Sequence, residues 1–477
     1  MNRLEQILEC NERKWQEHPY LFEKVAGEWK GKTYGDFLED VRGLAGWLVS
    51  LGLLGKPVLL YGENSRLLMT ADLALLHYVG ISVCVSKEWK EKNLLRAVKQ
   101  LEISYILYGE EKQAVIDRVK EKLPSLTCIC LSSVQKVPGQ WEPRKEEECC
   151  KIVFSSGTTA SPKAVMLSEK NIFAGLDSLY RRCPFDERDV DYLFLPLSHT
   201  YGGIYNFLYS LVFGFRIYLC SGIRGMEQEI LEVNPTLFCG VPAIYRRFYE
   251  HYGQRIGTAF GSRIAYLFCG GAYFDEDIRK AYKESGLNMM EAYGLSETAS
   301  TFAIQYPQDP DTRSVGTIAE DIKVKVLSPD ACGIGEIAVK GDNVFLGYAE
   351  DEELTDSVFT GDGYFRTGDL GYLEADERNG GKKLYLTGRI KKVLLGENGE
   401  NVEPTHIEHI ICERNANISK ALVYMENSKL GCHIYLKEPE NRDWEAFFAG
   451  LNAELPGYER IGQYDIAVDS VEKRLKQ

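Results

Sequence analysis

The sequence predicts an α/β fold in which helices cover a largely parallel sheet, joined to a smaller and mostly antiparallel β region. Three observations carry that expectation. Helix-like and strand-like segments alternate through residues 1–150, the pattern of a parallel sheet with crossover helices. From residue 315 onward the apolar segments become shorter, alternate with polar residues and are bounded by glycine. A chain of 477 residues also exceeds one ordinary domain, so two or three units are expected, each large enough to bury a core.

Taken in order, Val41, Leu44, Leu48 and Leu51 fall on one helical face, Gly52 stops that helix, and PVLLYGENS follows as a short buried strand and turn. Residues 73–77 look helical, ISVCV is a strand, Lys87 to Gln100 form a charged amphipathic helix, and ISYILYG is another strand. The two glycines of GEWKGKT are separated by three residues instead of the four of a Walker loop, so a hairpin tip before the helix of TYGDFLED fits it better. NIFAGLDSLYRRC reads as a helix, and DYLFLPLSHTYGG as a buried strand ending in a polar turn. Ile204 to Cys220 reads as a buried helix followed by a strand, and NPTLFCGVPAIYRRF as strand, turn and helix. SVGTIAE, IKVKVLS and GEIAVKG are the short strands of the β region, KALVYMENSKLGCHIYLK is a hairpin, and YDIAVDS is a terminal strand.

Composition narrows the function. A net charge of −14 argues against a non-specific nucleic-acid binder, which needs a basic surface to displace counterions from phosphate. The 13 cysteines show no C-x-x-C pair and no Cys/His ligand spacing, and the adjacent Cys149 and Cys150 are poor material for a disulfide framework, so free thiols in a reducing cytoplasm are expected. The first residues are charged throughout and lack a signal-peptide core, and no transmembrane segment is indicated.

Residues 151–168, KIVFSSGTTASPKAVMLS, read as a strand entering a loop of small and hydroxyl residues that ends on one lysine. Ser155, Ser156, Thr158 and Thr159 offer hydroxyl donors, Gly157 lets backbone N–H groups turn inward, and Lys163 adds a positive charge, a composition suited to a polyphosphate. By composition alone, a polar surface loop between two strands remains the plainer alternative. SSGTTASPKA resembles the phosphate-binding signature of the adenylate-forming superfamily, which includes acyl-CoA synthetases, adenylation domains and firefly luciferase. Ala160 and Ala164 stand where that family usually has glycine.

Other segments match the same family in its order. LPLSHTYGG resembles the motif whose His199 position helps shape the carboxylate pocket. Thr200, followed by Tyr201, replaces the aspartate with which relatives hold an α-amino group, so an amino-acid substrate is disfavoured. The resemblance lays Gly270, Gly271 and Ala272 against the adenine. In MMEAYGLSET it implies that Tyr293 packs on adenine beside Gly294, that Ser296 meets phosphate, and that Glu297 helps hold Mg²⁺. In YFRTGDLGYL it gives Asp369 the ribose diol, with Arg389 of LYLTGRIKK close by; a carboxylate can accept both hydroxyl hydrogen bonds.

The resemblance further implies a large N-terminal AMP-binding domain over 1–390, built of stacked parallel α/β layers with a β subdomain over about 315–390. A hinge at Lys391 leads to a small, mobile α+β C-terminal lid over 391–477, with Gly396 and Gly399 in its first loop. At the family's C-terminal lysine, whose role is a cation beside the α-phosphate, the closest register of KRLKQ places Arg474, with Lys476 beyond, and a looser alignment places Lys473 or Lys476. The implied reaction is ATP-dependent activation of a carboxylic acid followed by transfer to a thiol, that of CoA for a fatty or aryl acid. The alternatives are a stand-alone enzyme loading the phosphopantetheine thiol of a carrier protein, and a nucleotide-binding regulator without turnover.

Overall fold

The structure, a computed structural model, describes residues 3–468 apart from 142–143, 156–161, 273, 275, 391–393, 396–400, 403, 416 and 427–428. Ser156, Gly157, Thr158, Thr159, Lys391, Gly396, Gly399, Arg474 and Lys476 thus lie outside the described residues.

Two large sheets form the body. One has seven strands, with Pro57–Tyr61, Ile81–Val85, Tyr105–Tyr108 and Thr127–Cys130 parallel, and Cys149–Ser155 added in parallel beside Ile81–Val85. The chain then turns back on itself, so Lys163–Ser168 pairs antiparallel with Cys149–Ser155, and the two-residue strand Gly347–Tyr348 closes that edge. The other sheet has thirteen strands; its parallel run comprises Met289–Leu295, Tyr266–Cys269, Leu237–Gly240, Val190–Leu193, Arg216–Leu219 and Pro19–Val25.

Helices fill the space between the sheets. Tyr34–Ser50 begins where the Thr33 hydroxyl accepts the Asp36 N–H at 3.1 Å, and past it Gly52 adopts φ +74°, the left-handed stop expected of glycine. The helix Arg66–Leu73, continued by a π-helical turn to Val79, and the helical run Tyr201–Phe213 contribute much of the core. Among the buried ion pairs, one joins a strand to a core helix. Lys151 donates to both carboxylate oxygens of Asp72, at 2.6 and 2.8 Å, and the Ser82 hydroxyl donates to the same group. That pair ties the start of the strand leading to Ser155 to a core helix.

Several local expectations are refined. EWKGKT is the second strand of a hairpin with Pro19–Val25, turning at Ala26–Gly27; a Cβ on Gly31 would lie 2.6 Å from the Phe22 ring, so close packing requires that glycine. The amphipathic helix starts at Glu91, after a turn around Lys87–Lys90. DYLFLPLSHTYGG leaves the sheet after Leu193, and Tyr201 opens the π-helix Tyr201–Leu208 instead of a turn. Apart from Gly347–Tyr348, the antiparallel strands between Thr317 and Arg389 do not form a separate sheet: Thr317–Ile318 pairs with Ser300–Ile304, which makes them a continuation of the thirteen-stranded sheet. Only two residues of SVGTIAE are strand, since Gly316 turns the chain at φ +107° against Ile304.

The C-terminal unit packs Pro404–Arg414 and Trp444–Glu454 on a three-stranded sheet, Ile418–Glu426, Lys429–Leu436 and Ile461–Val468, around its own apolar core. It meets the body where the Lys90 ammonium donates to the carbonyls of Ala453 and Leu455, at 2.5 and 3.2 Å.

Candidate active site

The strands Cys149–Ser155 and Lys163–Ser168 pair so that Ser155 stands directly opposite Lys163. A hairpin, Met289–Leu295 with Ser300–Ile304, bulges at Tyr293 and Gly294. A Cβ on Gly294 would sit 1.6 Å from the Ser300 carbonyl oxygen, which restricts this position to glycine. Ala299 and Ser300 have φ of 51° and 100°, and the Thr298 hydroxyl accepts the Leu295 N–H at 2.8 Å, holding the tight turn Ser296–Thr298 that presents Glu297.

Glu297 is the meeting point of three elements. Its Oε1 accepts the Ser155 hydroxyl at 3.2 Å and the Tyr348 hydroxyl at 3.0 Å, while the Lys163 ammonium lies 4.9 Å from the centre of the Tyr348 ring. Burial first, then the adjoining Glu297 carboxylate, raises the pKa of the Tyr348 phenol, so it remains a proton donor. Tyr348 carries no local motif, and no reading of the sequence singled it out.

Asp369 follows a Thr-Gly turn, as its sequence suggests: Gly368 has φ +74° and the Asp369 N–H donates to the Thr367 hydroxyl at 3.1 Å. Its carboxylate accepts from the Tyr293 hydroxyl at 2.5 Å and pairs with Arg389 Nε at 2.5 Å across the sheet. Burial raises its pKa despite the guanidinium. The Tyr293 ring packs edge-on against Phe302 at 5.1 Å.

The irregular segment after Leu193 is clamped by Asn64, which donates to the Leu195 carbonyl at 2.8 Å and accepts the Leu197 N–H at 3.1 Å. Asn64 of GENS is a second positioning residue without a sequence signature. His199 is a solvent-exposed residue on the cleft wall, and desolvation by its surroundings lowers its pKa. Gly271, at φ +83°, ends the strand Tyr266–Cys269, with Ala272 one residue beyond.

One cleft of about 1660 Å³ gathers Ser155, Lys163, His199, Thr200, Tyr201, Gly270, Gly271, Gly294, Ser296, Glu297 and Arg389 on its walls. Tyr293 and Asp369 lie buried behind those walls. A pocket for one small ligand occupies roughly 300–1,000 Å³, so this cleft has room for more than one. Its outer part runs between Lys92, Asn93 and Arg96 of the body and Pro456–Glu459 of the C-terminal unit.

A family model described as AMP-binding enzyme matches residues 8–349. The chain belongs to this AMP-binding enzyme family. Among similar curated proteins, the long-chain-fatty-acid–CoA ligase ACSBG2 of Xenopus laevis is 25% identical over 525 residues, covering 92% of this chain and 70% of that protein. The mouse (Mus musculus) long-chain-fatty-acid–CoA ligase ACSBG1 is 27% identical over 404 residues, 72% of this chain; the matched region covers only 54% of that longer protein. Among solved structures, a double mutant of o-succinylbenzoate CoA synthetase from Bacillus subtilis, bound with the product analogue OSB-NCoA, superposes with a TM-score of 0.83 at 19% identity, covering 97% of this chain and 94% of that one. The same enzyme in complex with ATP and magnesium ion gives 0.71 at 18% identity, covering 97% and 95%. The shared fold includes the C-terminal unit. No described helix is long and apolar enough to cross a membrane, and all 13 cysteines are unpaired thiols.

Proposed function

We propose that this member of the family activates a carboxylic acid with ATP and passes the acyl group to the thiol of CoA. The carboxylate oxygen attacks the α-phosphorus, the bond from that phosphorus to the β-phosphate bridge oxygen breaks, and pyrophosphate leaves. The thiol sulfur then attacks the acyl carbon, AMP departs with its phosphate oxygen, and the thiol proton is released.

The observation that carries this reading is the convergence of Ser155, Lys163, Glu297 and Tyr348 on one end of a cleft roomy enough for several ligands. In it, Lys163 offsets phosphate charge, the Ser155 and Ser296 hydroxyls orient phosphate oxygens, and Arg389 with Asp369 shapes the ribose end. The donor set suits Mg²⁺, which takes oxygen ligands and keeps waters. Glu297 is a cleft-lining carboxylate among hydroxyls, and no cluster of three His, Cys, Asp or Glu side chains occurs among the described residues. Glu297 would hold the ion, which supplies positive charge at the phosphates. Lys92 and Arg96 suit a second anionic ligand in the outer cleft.

The test is a panel of acids with enzyme, Mg²⁺ and ATP, scored for pyrophosphate with and without CoA or a holo-carrier protein. Acid-dependent pyrophosphate together with acyl-CoA is expected. Acyl-carrier product without acyl-CoA would instead make it a carrier-loading enzyme, and ATP binding without pyrophosphate for any acid would leave a nucleotide-binding regulator.

A further inference from the structure

We propose that Tyr201 closes the inner end of the acid pocket, so that the chain takes a compact, uncharged-tailed acid, a short acyl chain or a single aromatic ring, and excludes an extended long chain. This rests on the ligase reading above. Thr200, Tyr201, Val241, Ile244, Gly271 and Ala292 all line the cleft, and Gly270–Gly271 brings Tyr201, Ala292 and Val241 together on one wall. None carries a charge, so nothing there would neutralise a second carboxylate on the substrate tail.

Tyr201 is fixed at that end from two sides. Its hydroxyl donates to the Phe268 carbonyl at 3.0 Å, and its ring lies against Gly270, where even a Cβ would come within 3.6 Å of the ring edge. The same carbonyl accepts the Tyr245 hydroxyl at 2.7 Å, so one backbone oxygen fastens two phenols. Immediately behind stands Tyr205, only 2% exposed and edge-on to Tyr201 at 5.4 Å between ring centres; Phe268, fully buried, packs edge-on to Tyr205 at 6.1 Å. Neither Tyr205 nor Phe268 reaches the cleft. Swinging Tyr201 aside to open a channel would break its hydrogen bond and drive the ring into Tyr205, in a close-packed interior that has no slack for it. The compact pocket sets this chain apart from the long-chain substrates in the names of its curated relatives.

The deciding experiment measures binding, which is independent of turnover and of the thiol. Titration calorimetry would compare AMP with 5′-O-acylsulfamoyl adenosines carrying butanoyl, benzoyl, octanoyl or hexadecanoyl groups, on the full chain and on Tyr201→Ala and Tyr201→Phe. The hexadecanoyl compound is expected to bind at least about tenfold more weakly than the best of the smaller ones. Tyr201→Phe, which keeps the ring, should retain that order, and Tyr201→Ala should bring the long-chain compound within about threefold of the others. Hexadecanoyl binding as tight as butanoyl and benzoyl in the unmodified protein overturns the inference while leaving the ligase reading standing. Should Tyr201→Ala not fold, the ranking in the unmodified chain and in Tyr201→Phe decides by itself. Failure of AMP and of every analogue to bind overturns the ligase reading and this inference with it.

Discussion

Tyr348→Phe removes a single oxygen from the centre of the proposed phosphate site and leaves everything else in place. In the folded protein that oxygen donates to Glu297 Oε1 at 3.0 Å, alongside the Ser155 hydroxyl at 3.2 Å, and both Tyr348 and Glu297 are buried, at 4% and 8% exposure. A hydrogen bond to a charged group contributes about 1.5–3 kcal/mol, and phenylalanine leaves Glu297 with one of these two hydroxyl donors. If the carboxylate must be held in place as charge shifts to pyrophosphate, that range corresponds to roughly a 10- to 150-fold loss in rate. The ring face beneath Lys163 survives in Tyr348→Phe; Tyr348→Leu removes it too and should cost a further ~0.5–2 kcal/mol. The assay is acid-dependent pyrophosphate release at saturating ATP across a magnesium titration. The expected result is a lower kcat and a half-maximal rate reached only at higher magnesium, with the melting temperature nearly unchanged. Because the phenol stays protonated, the loss should be the same at pH 7 and pH 9. A rate within about threefold of the unmodified enzyme, at the same magnesium requirement, would refute the positioning argument.

Three other outcomes follow from the same structure. Lys151→Met strands the Asp72 carboxylate in the core, both partners being essentially inaccessible, and should destabilise by about 3–5 kcal/mol in urea unfolding, much of it recovered in Lys151→Met/Asp72→Leu; a loss under about 1 kcal/mol would show the pair to be solvated. Burial pushes the Asp191 carboxyl up to about 7, against the opposing Asn206 and Tyr192 hydrogen bonds, while an unfolded aspartate titrates near ~3.9. The folded state therefore holds a proton that the unfolded state has lost between about pH 4 and 7. Stability should fall as pH rises through that window, by on the order of 3–4 kcal/mol, and Asp191→Asn should flatten the curve; equal pH profiles for the two proteins would contradict the shift. Lys163→Ala should slow pyrophosphate release by about 10²- to 10³-fold and by more than alanine at Arg474 or Lys476, and an equal or larger loss at either tail residue would shift the emphasis to the tail.

Much of the site is written in short stretches of sequence because it depends on backbone conformation, which neighbouring residues control. Gly294 is dictated by a carbonyl 1.6 Å from where its Cβ would be, and Thr367-Gly368-Asp369 by a left-handed glycine and a hydroxyl that accepts the aspartate N–H. The pairing of Ser155 with Lys163 is likewise between strands close in sequence. Side-chain convergence across the fold has no such signature. Tyr348 reaches Glu297 and Lys163 only because a two-residue strand leaves the run of antiparallel strands and pairs with Lys163–Ser168 on the opposite sheet. Asn64 clamps a segment more than 130 residues later in the chain, and Tyr293 meets Asp369 across one continuous thirteen-stranded sheet. The sequence by itself determined the α/β class, the tight turns at Gly294 and Gly368 and the residue types beside them. Only the tertiary structure decided which residues steady Glu297 and where the acid pocket ends, because strand order and ring packing follow from burying the whole apolar core at once and not from any neighbour along the chain.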